Sequence, residues 1–257
     1  MFDQPIQTAN LPAITFVGAG PGSADHLTLG AYRALQTADV VIFDRLVGQE
    51  ILDLIPAHIR QIDVGKEGFG PSTEQSQINA LLVQHGLSGD RVLRLKGGDC
   101  NIFGRLDEEI EAIEAVGLSF RVFPGLTAAT VAAAAIGQSL TRRGRNASLR
   151  IVTGHDMAGF AEQDWRGLAR KGEVAAIYMG KKSARFIQGR LMMHGADPAT
   201  PVTVVENVSR HDQRLFGVTL STLTDAVALC SGPAVILFGL APRQAALTFS
   251  ELKEAQA

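Results

Sequence analysis

Asp44 and Lys66 are the residues of this chain best placed to move protons. Asp44 directly follows four apolar residues, Val40 to Phe43, and Lys66 follows the run Arg60 to Val64 after a single Gly65. A carboxylate and an ammonium carried to one place by rigid elements can accept and supply protons if their surroundings bring both toward neutrality. An ordinary surface salt bridge is the competing reading of the Asp44-Arg45 pair. Three glycine turns accompany them: Gly18-Ala19-Gly20-Pro21-Gly22, Gly97-Gly98-Asp99 and Pro124-Gly125. Glycine lets a backbone approach a ligand closely, but the first turn fits a dinucleotide fingerprint poorly. The third glycine of a Gly-x-Gly-x-x-Gly pattern would fall on Ser23, and Pro21 intrudes. A tight turn without a ligand explains it as well.

The elements that must position these groups follow from the pattern. Ala13 to Val17, Asp39 to Phe43, Arg60 to Val64, Arg91 to Leu95 and Ser119 to Phe123 read as strands. Leu29 to Ala38, Gly48 to Ile55, Thr73 to His85 and Leu106 to Val116 carry helical spacing or composition between them. Ser72 with Gln75 predicts a capping-box start, and Gly86 and Gly117 stand where helices stop. Strands joined by helices are parallel, so their carboxyl ends gather on one rim, the expected place for a ligand. The alanine-rich stretch Thr127 to Ile136 predicts a small-residue helix leading to an arginine-rich loop, Thr141 to Asn146. Further strands are expected at Leu149 to Thr153, Val174 to Met179, Pro201 to Glu206, Leu215 to Thr219 and Ala234 to Phe238, with helices at Ser183 to His194 and Leu223 to Leu229. A short polar turn, Ser209 to Gln213, joins two of these strands and makes the second sheet mixed. The expected architecture is two α/β domains, residues 12–125 with a parallel sheet and 126–245 with a mixed one, with a cleft between them.

Composition narrows the classes. A chain of 257 residues with 46% hydrophobic content is long enough for real cores. No apolar run reaches the length of a membrane helix, and Met1 to Leu11 has neither the basic start nor the apolar block of an export signal, so a cytoplasmic protein is expected. Cys100 and Cys230 match no metal spacing, and His155 and His194 have no second ligand at metal spacing, so no metal is expected. A net charge of −2 and 6% aromatic residues argue against a nucleic-acid surface. The basic residues nevertheless cluster, as Arg142, Arg143, Arg145 and Arg150, and as Lys181, Lys182 and Arg185. Both groups read either as solvated surface or as forks for an anionic small molecule.

Taken in order, VGAGPG, DRLV, VGK, EQSQIN, LRLKGGD, IFGR, PGLTAA, LTRRG, VTGH, YMG and PVTVVEN resemble the tetrapyrrole methylases, over about residues 13 to 240. The resemblance implies an enzyme, a two-domain homodimer, that binds S-adenosylmethionine and methylates uroporphyrinogen III at ring carbons 2 and 7, giving precorrin-2 for sirohaem and cobalamin. It makes Asp44 the proton acceptor and Lys66 the proton donor. Pro21, Gly97, Gly98, Asp99, Ile102, Thr127, Ala128, Met179, Val208 and Ala234 would line the methyl-donor site, with Asn207 and the Gly232-Pro233 turn as backbone neighbours. Arg45, Arg105, Arg142 and Arg143 would grip the carboxylates of the substrate, which turns the arginine clusters from surface into site. A methylase of this fold acting on a later precorrin, and a silent S-adenosylmethionine-binding regulator, are the alternatives. The chain departs from the family where Cys100-Asn101 replace the usual Pro-Phe after GGD and Leu106-Asp107 the usual Gly-Gly after IFGR.

Overall fold

β-Branched runs ending in glycine build the first sheet. The computed structural model describes residues 13–65, 74–156 and 159–243, and the chain divides into two compact units, Met1–Thr127 and Ala128–Ala257. In the first, β1 (Ile14–Gly18), β2 (Val40–Phe43), β3 (Arg60–Asp63), β4 (Val92–Lys96) and β5 (Phe120–Phe123) form a wholly parallel sheet in the order β3-β2-β4-β1-β5. Between them run α1 (Leu29–Leu35), α2 (Gln49–Leu52), α3 (Gln75–Leu87) and α4 (Leu106–Glu114). The chain steps one way through β1, β2 and β3, then reverses to β4 and β5. Right-handed crossovers therefore place α1 and α2 on one face and α3 and α4 on the other. The cores agree: Ala31, Leu35 and Ile51 pack with Val17, Val41 and Leu93, while Ile78, Leu82 and Ile113 pack with Phe16, Val40 and Ile42.

The second unit holds α5 (Ala128–Ala135), β6 (Arg150–Thr153), β7 (His155–Asp156), β8 (Gly159–Phe160), α6 (Trp165–Leu168), β9 (Ala175–Tyr178), α7 (Ala184–Met193), β10 (Pro201–Glu206), β11 (Arg214–Thr219), α8 (Leu223–Ala228) and β12 (Ala234–Phe238). Its main sheet runs β11-β10-β12-β9-β6, with β6 and β9 parallel and the other pairs antiparallel; β7 and β8 form a separate short pair. α6, α7 and α8 cover one face through Trp165, Ile187, Leu191 and Leu223. The alanines of α5 cover the other through Ala129 and Ala132 against Ala176, Val205 and Leu237.

The parallel first sheet and the mixed second sheet are both as expected. Several boundaries move. α2 is a single turn rather than Gly48 to Ile55, and α3 begins at Gln75, where the Gln77 amide oxygen accepts the Glu74 N–H. Ser72, the residue expected to open a capping box, lies outside the described residues. Gly86 is inside α3 rather than beyond it, and what calls for glycine there is packing: a side chain would strike Leu118 at 2.6 Å.

Candidate active site

The carboxyl ends of β1, β4 and β5 meet main chain to main chain. Gly20 N–H donates to Gly98 O (3.0 Å) and Gly98 N–H to Gly20 O (2.7 Å), while Ala19 N–H donates to Lys96 O (2.8 Å). A Cβ on Gly18 would lie 2.5 Å from Gly125 N and 2.8 Å from Gly98 O, so only hydrogen fits between these turns. Gly98 itself adopts φ +75°, with open space before the position of a side chain. Asp99 ties the arrangement together. Its Oδ2 accepts Gly125 N–H (3.0 Å), and its Oδ1 accepts the main-chain (2.7 Å) and side-chain (2.8 Å) N–H groups of Asn101. Asn101, a departure from the family pattern, is thus what finishes the turn.

Asp44 stands on the same rim, one strand over, its N–H directed at Leu95 O (3.4 Å). Its Oδ2 accepts from Arg94 Nη2 at 3.3 Å, and its side chain is 30% exposed. The partner is a buried guanidinium and not a neighbour on the surface, so the surface salt-bridge reading of Asp44 fails. Arg94 and Lys96 point from β4 toward α4, where both meet Glu109, a fully buried residue that the sequence reading did not single out. Period-two alternation in Val92-Leu93-Arg94-Leu95-Lys96 was the available signal: two cations on one face of a central strand require a buried anion. Lys66 lies outside the described residues.

Pro21 is half-buried within the first turn, Gly97 presses on Leu46, and Ile102 is half-buried beyond Asp99. Arg45 is exposed and forms no ion pair among the described residues. Arg105 is exposed as well, but Glu108 already holds its fork, at 2.7 and 2.6 Å. That pair draws the Glu108 carboxyl below its ordinary range. Thr127 ends the first unit.

In the second unit, Ala128 opens α5, where Tyr178 Oη accepts the Ala129 N–H at 2.8 Å. One N–H of the helix's amino end is therefore already engaged within the unit. Met179 follows β9 with φ 52° and a half-exposed side chain; Val208 is buried and Ala234 partly so. The strand pairing places these last three at one end of the central strands, where β9 and β10 finish and β12 begins. Lys181 departs from the anion-binding reading of its cluster, because its ammonium donates to Ser231 O (2.8 Å) and Gly232 O (2.9 Å) and closes this end. Buried Glu206 receives Gly232 N–H and the Arg214 fork; burial opposes its charge, and these donors outweigh burial and hold its carboxyl below the ordinary range. Arg142 and Arg143 are exposed on a loop closed by Arg142 N–H to Asn146 Oδ1 (3.2 Å), and neither guanidinium forms an ion pair among the described residues.

Non-glycine residues at positive φ mark these places: Phe103, Arg105, Met179, Asn207 and Ser209. All five are, or directly flank, residues the resemblance picks out, and stored backbone strain clusters at binding sites. No run of residue types reveals a positive φ, so the sequence carried no signal for it. The residues present suit a ligand recognised chiefly through main chain, as the glycine cradle before Gly98 provides. No group of metal-ligating side chains occurs among the described residues.

A family model described as tetrapyrrole (corrin/porphyrin) methylases matches residues 13–224. The uroporphyrinogen-III C-methyltransferase of Paracoccus denitrificans is 45% identical over 232 residues, covering 90% of this chain and 80% of that protein. The siroheme synthase of Edwardsiella ictaluri is 43% identical over 226 residues, 88% of this chain, and the chain spans about half the length of that relative (49%). Among solved structures, the uroporphyrin-III C-methyltransferase of Thermus thermophilus complexed with S-adenosylhomocysteine superposes with a TM-score of 0.75 at 34% identity, covering 88% of this chain and 96% of that one.

Proposed function

This chain belongs to the tetrapyrrole (corrin/porphyrin) methylases, and from that membership we propose that it methylates uroporphyrinogen III at carbons 2 and 7, with S-adenosylmethionine as donor, to give precorrin-2. The observation that carries the reading is the delivery of Asp44 to the rim that also bears the Gly20–Gly98 main-chain bridge. Bound at the cradle, the donor supplies an electrophilic methyl group on a sulfonium. The protein's task is then to hold two reactants in line and to manage one proton.

The Gly97-Gly98-Asp99 turn and Pro21 serve the donor in the first unit, and Met179 with the Val208 and Ala234 end serves it in the second. Asp99 acts by fixing Gly125 and Asn101, so its carboxylate shapes the cradle from behind. An attacked pyrrole becomes cationic and sheds a proton. Asp44 stabilises that charge and accepts the proton, and Lys66 is assigned the return of a proton. Arg45, Arg142 and Arg143 offer unpaired forks to the substrate's carboxylates, and Arg105 offers an edge steadied by Glu108. The active species is read as a homodimer, working in the cytoplasm; among the described residues no helix is long and apolar enough to cross a membrane.

The test is an anaerobic assay of the purified protein with uroporphyrinogen III and methyl-labelled donor. Two labelled methyl groups in a precorrin-2 chromophore are expected. Label entering only a later precorrin would reassign the substrate, and donor binding without transfer would make the protein a regulator. Asp44→Ala is expected to lower turnover by roughly 10² to 10⁴ fold, the usual worth of a positioned acid or base. An unchanged rate would remove Asp44 from the chemistry.

A further inference from the structure

The densest buried charge in the first unit lies beneath the carboxyl ends of β2 and β4. Arg94 is 2% exposed, Lys96 3% and Glu109 not at all. The Arg94 guanidinium is fixed at almost every edge: Nη1 donates to Ile42 O (3.3 Å) and Leu95 O (3.1 Å), and Nε and Nη2 both reach Glu109 Oε1 (3.3 Å each). Glu109 Oε1 is itself held by Lys96 Nζ (2.6 Å) and by Gln75 Nε2 from α3 (3.1 Å). What remains of the fork is Nη2 toward Asp44 Oδ2. Asp44 is the member of the cluster that reaches the rim. Its Oδ1 is buried without a hydrogen-bond partner among the described residues.

A buried ion cluster is a poor device for holding a helix on a sheet, since apolar residues of the same volume often do so as well or better. This one also strains its members. Burial, and then the like charge of Arg94, draw the Lys96 ammonium below its ordinary range, against the pull of Glu109 and Asp44. Geometry explains what the cluster achieves: a guanidinium that cannot rotate holds one carboxylate oxygen of a half-open aspartate.

We propose that Arg94, locked by Glu109, is the positioning residue for Asp44, holding Oδ2 so that the carboxylate keeps one orientation at the rim, toward the reacting ring. Glu109 acts through Arg94 and touches no substrate. The inference deepens the methylase reading and rests on it for the role of Asp44, but the coupling of Arg94 to Asp44 is measurable without turnover.

The measurement is carbon-13 NMR titration of aspartate-labelled full chain, with the Asp44 signal assigned by its loss in Asp44→Asn. Charges facing Asp44 are Arg94 and Lys96 from β4 and Glu109 from α4; Arg45 and Asp63, which both lie against Gly65, are left unchanged in every variant. Arg94→Gln removes the cation and leaves Glu109 paired with Lys96, so the Asp44 midpoint rises relative to the parent protein. Glu109→Gln leaves two cations facing Asp44, so its midpoint falls. Opposite shifts are the expected result. A merely structural role would destabilise both variants without splitting the midpoints, and unsplit midpoints overturn the proposal whatever the rate.

In the transfer assay, Arg94→Gln is expected to lower kcat about 10 to 100 fold with KM for uroporphyrinogen III within about twofold, and the loss should vanish in an Asp44→Ala background. A full additional loss in that background overturns the positioning role. Should Glu109→Gln not fold, Arg94→Lys replaces it: charge is kept and the fork lost, so kcat falls at least tenfold while the midpoint moves less than half as far as in Arg94→Gln. An equal midpoint shift in the two Arg94 variants counts against the proposal. Split midpoints with transfer indifferent to Asp44→Ala would support the coupling and refute the role proposed for Asp44 in catalysis.

Discussion

Cys100 directly follows the Gly97-Gly98-Asp99 turn and has lost the ordinary chemistry of a thiol. It is fully buried, with Sγ against Phe123 O at 3.8 Å. Burial disfavours the thiolate first and the nearby Asp99 charge second, and together they push its pKa up to about 11. The thiolate is the reactive form, so the native protein at pH 8 should leave Cys100 unlabelled by iodoacetamide over an hour and expose it in denaturant, as peptide mass mapping would record. Prompt labelling under native conditions would show that the turn opens. Single residues were legible in the sequence where chemistry and position coincide: Asp44 ends an apolar run, and a carboxylate there stands on a rim. Arg94, Lys96 and Glu109 were not, because their meaning comes from a partner on another element thirteen or fifteen residues away. A strand position and a helix position become a pair only after the sheet has fixed which face α4 covers.

At the opposite end of β2 and β4, Asp39 and Arg91 form a clamp that serves the sheet and not the rim. Arg91 donates to Asp39 through Nε (2.9 Å), Nη2 (2.6 Å) and its own N–H (2.8 Å). These bonds, the side-chain ones foremost, lower the Asp39 pKa from 3.8 to about 2. A carboxyl depressed in the folded state contributes stability that is present above its unfolded value and is lost as pH falls through its folded value, here from about pH 4 to about pH 2. Both side chains are more than 40% exposed, so water and salt screen most of the gain. Urea unfolding should therefore show Asp39→Asn less stable by under about 1 kcal/mol at pH 7, with the gap narrowing below pH 4 and with methyl transfer unchanged. A gap that widens in acid would contradict this origin. Among the elements, long apolar alternations were readable, and β10 and β12 fall on the residues expected. α6 was missed because four residues, Trp165–Leu168, are too few for a helical period; Asp164 Oδ1 accepting Gly167 N–H (2.9 Å) and the burial of Trp165 hold it. α1 and α2 came out shorter than read, since composition marks where a helix can run and packing decides where it stops.

For the whole molecule, charge sets a problem that local structure must solve. The chain carries a net −2, and the proposed substrate is a polyanion, so overall attraction cannot bring the two together. Attraction has to come from a patch, and in the proposed reading Arg142 and Arg143 are that patch: adjacent, exposed and unpaired among the described residues, on a loop that Asn146 stiffens through Leu140 O (2.9 Å) and Ser148 O (2.7 Å). Arg145 is spent within the loop on Ser139 O (2.7 Å), so the loop is held in shape by one arginine and offers two others outward. Exposed charges act over roughly a Debye length, about 10 Å at 0.1 M salt and about 3 Å at 1 M. The double variant Arg142→Ala/Arg143→Ala should therefore raise KM for uroporphyrinogen III about tenfold while leaving kcat within about twofold, because binding is lost equally from ground and transition states. Raising salt from 0.05 to 0.5 M should raise KM severalfold in the parent protein and much less in the variant. Equal salt dependence in the two would place the carboxylate grip elsewhere, on Arg45 and Arg105 at the rim of the first sheet. A fall in kcat instead would mean that the two arginines act in the transition state as well as in binding.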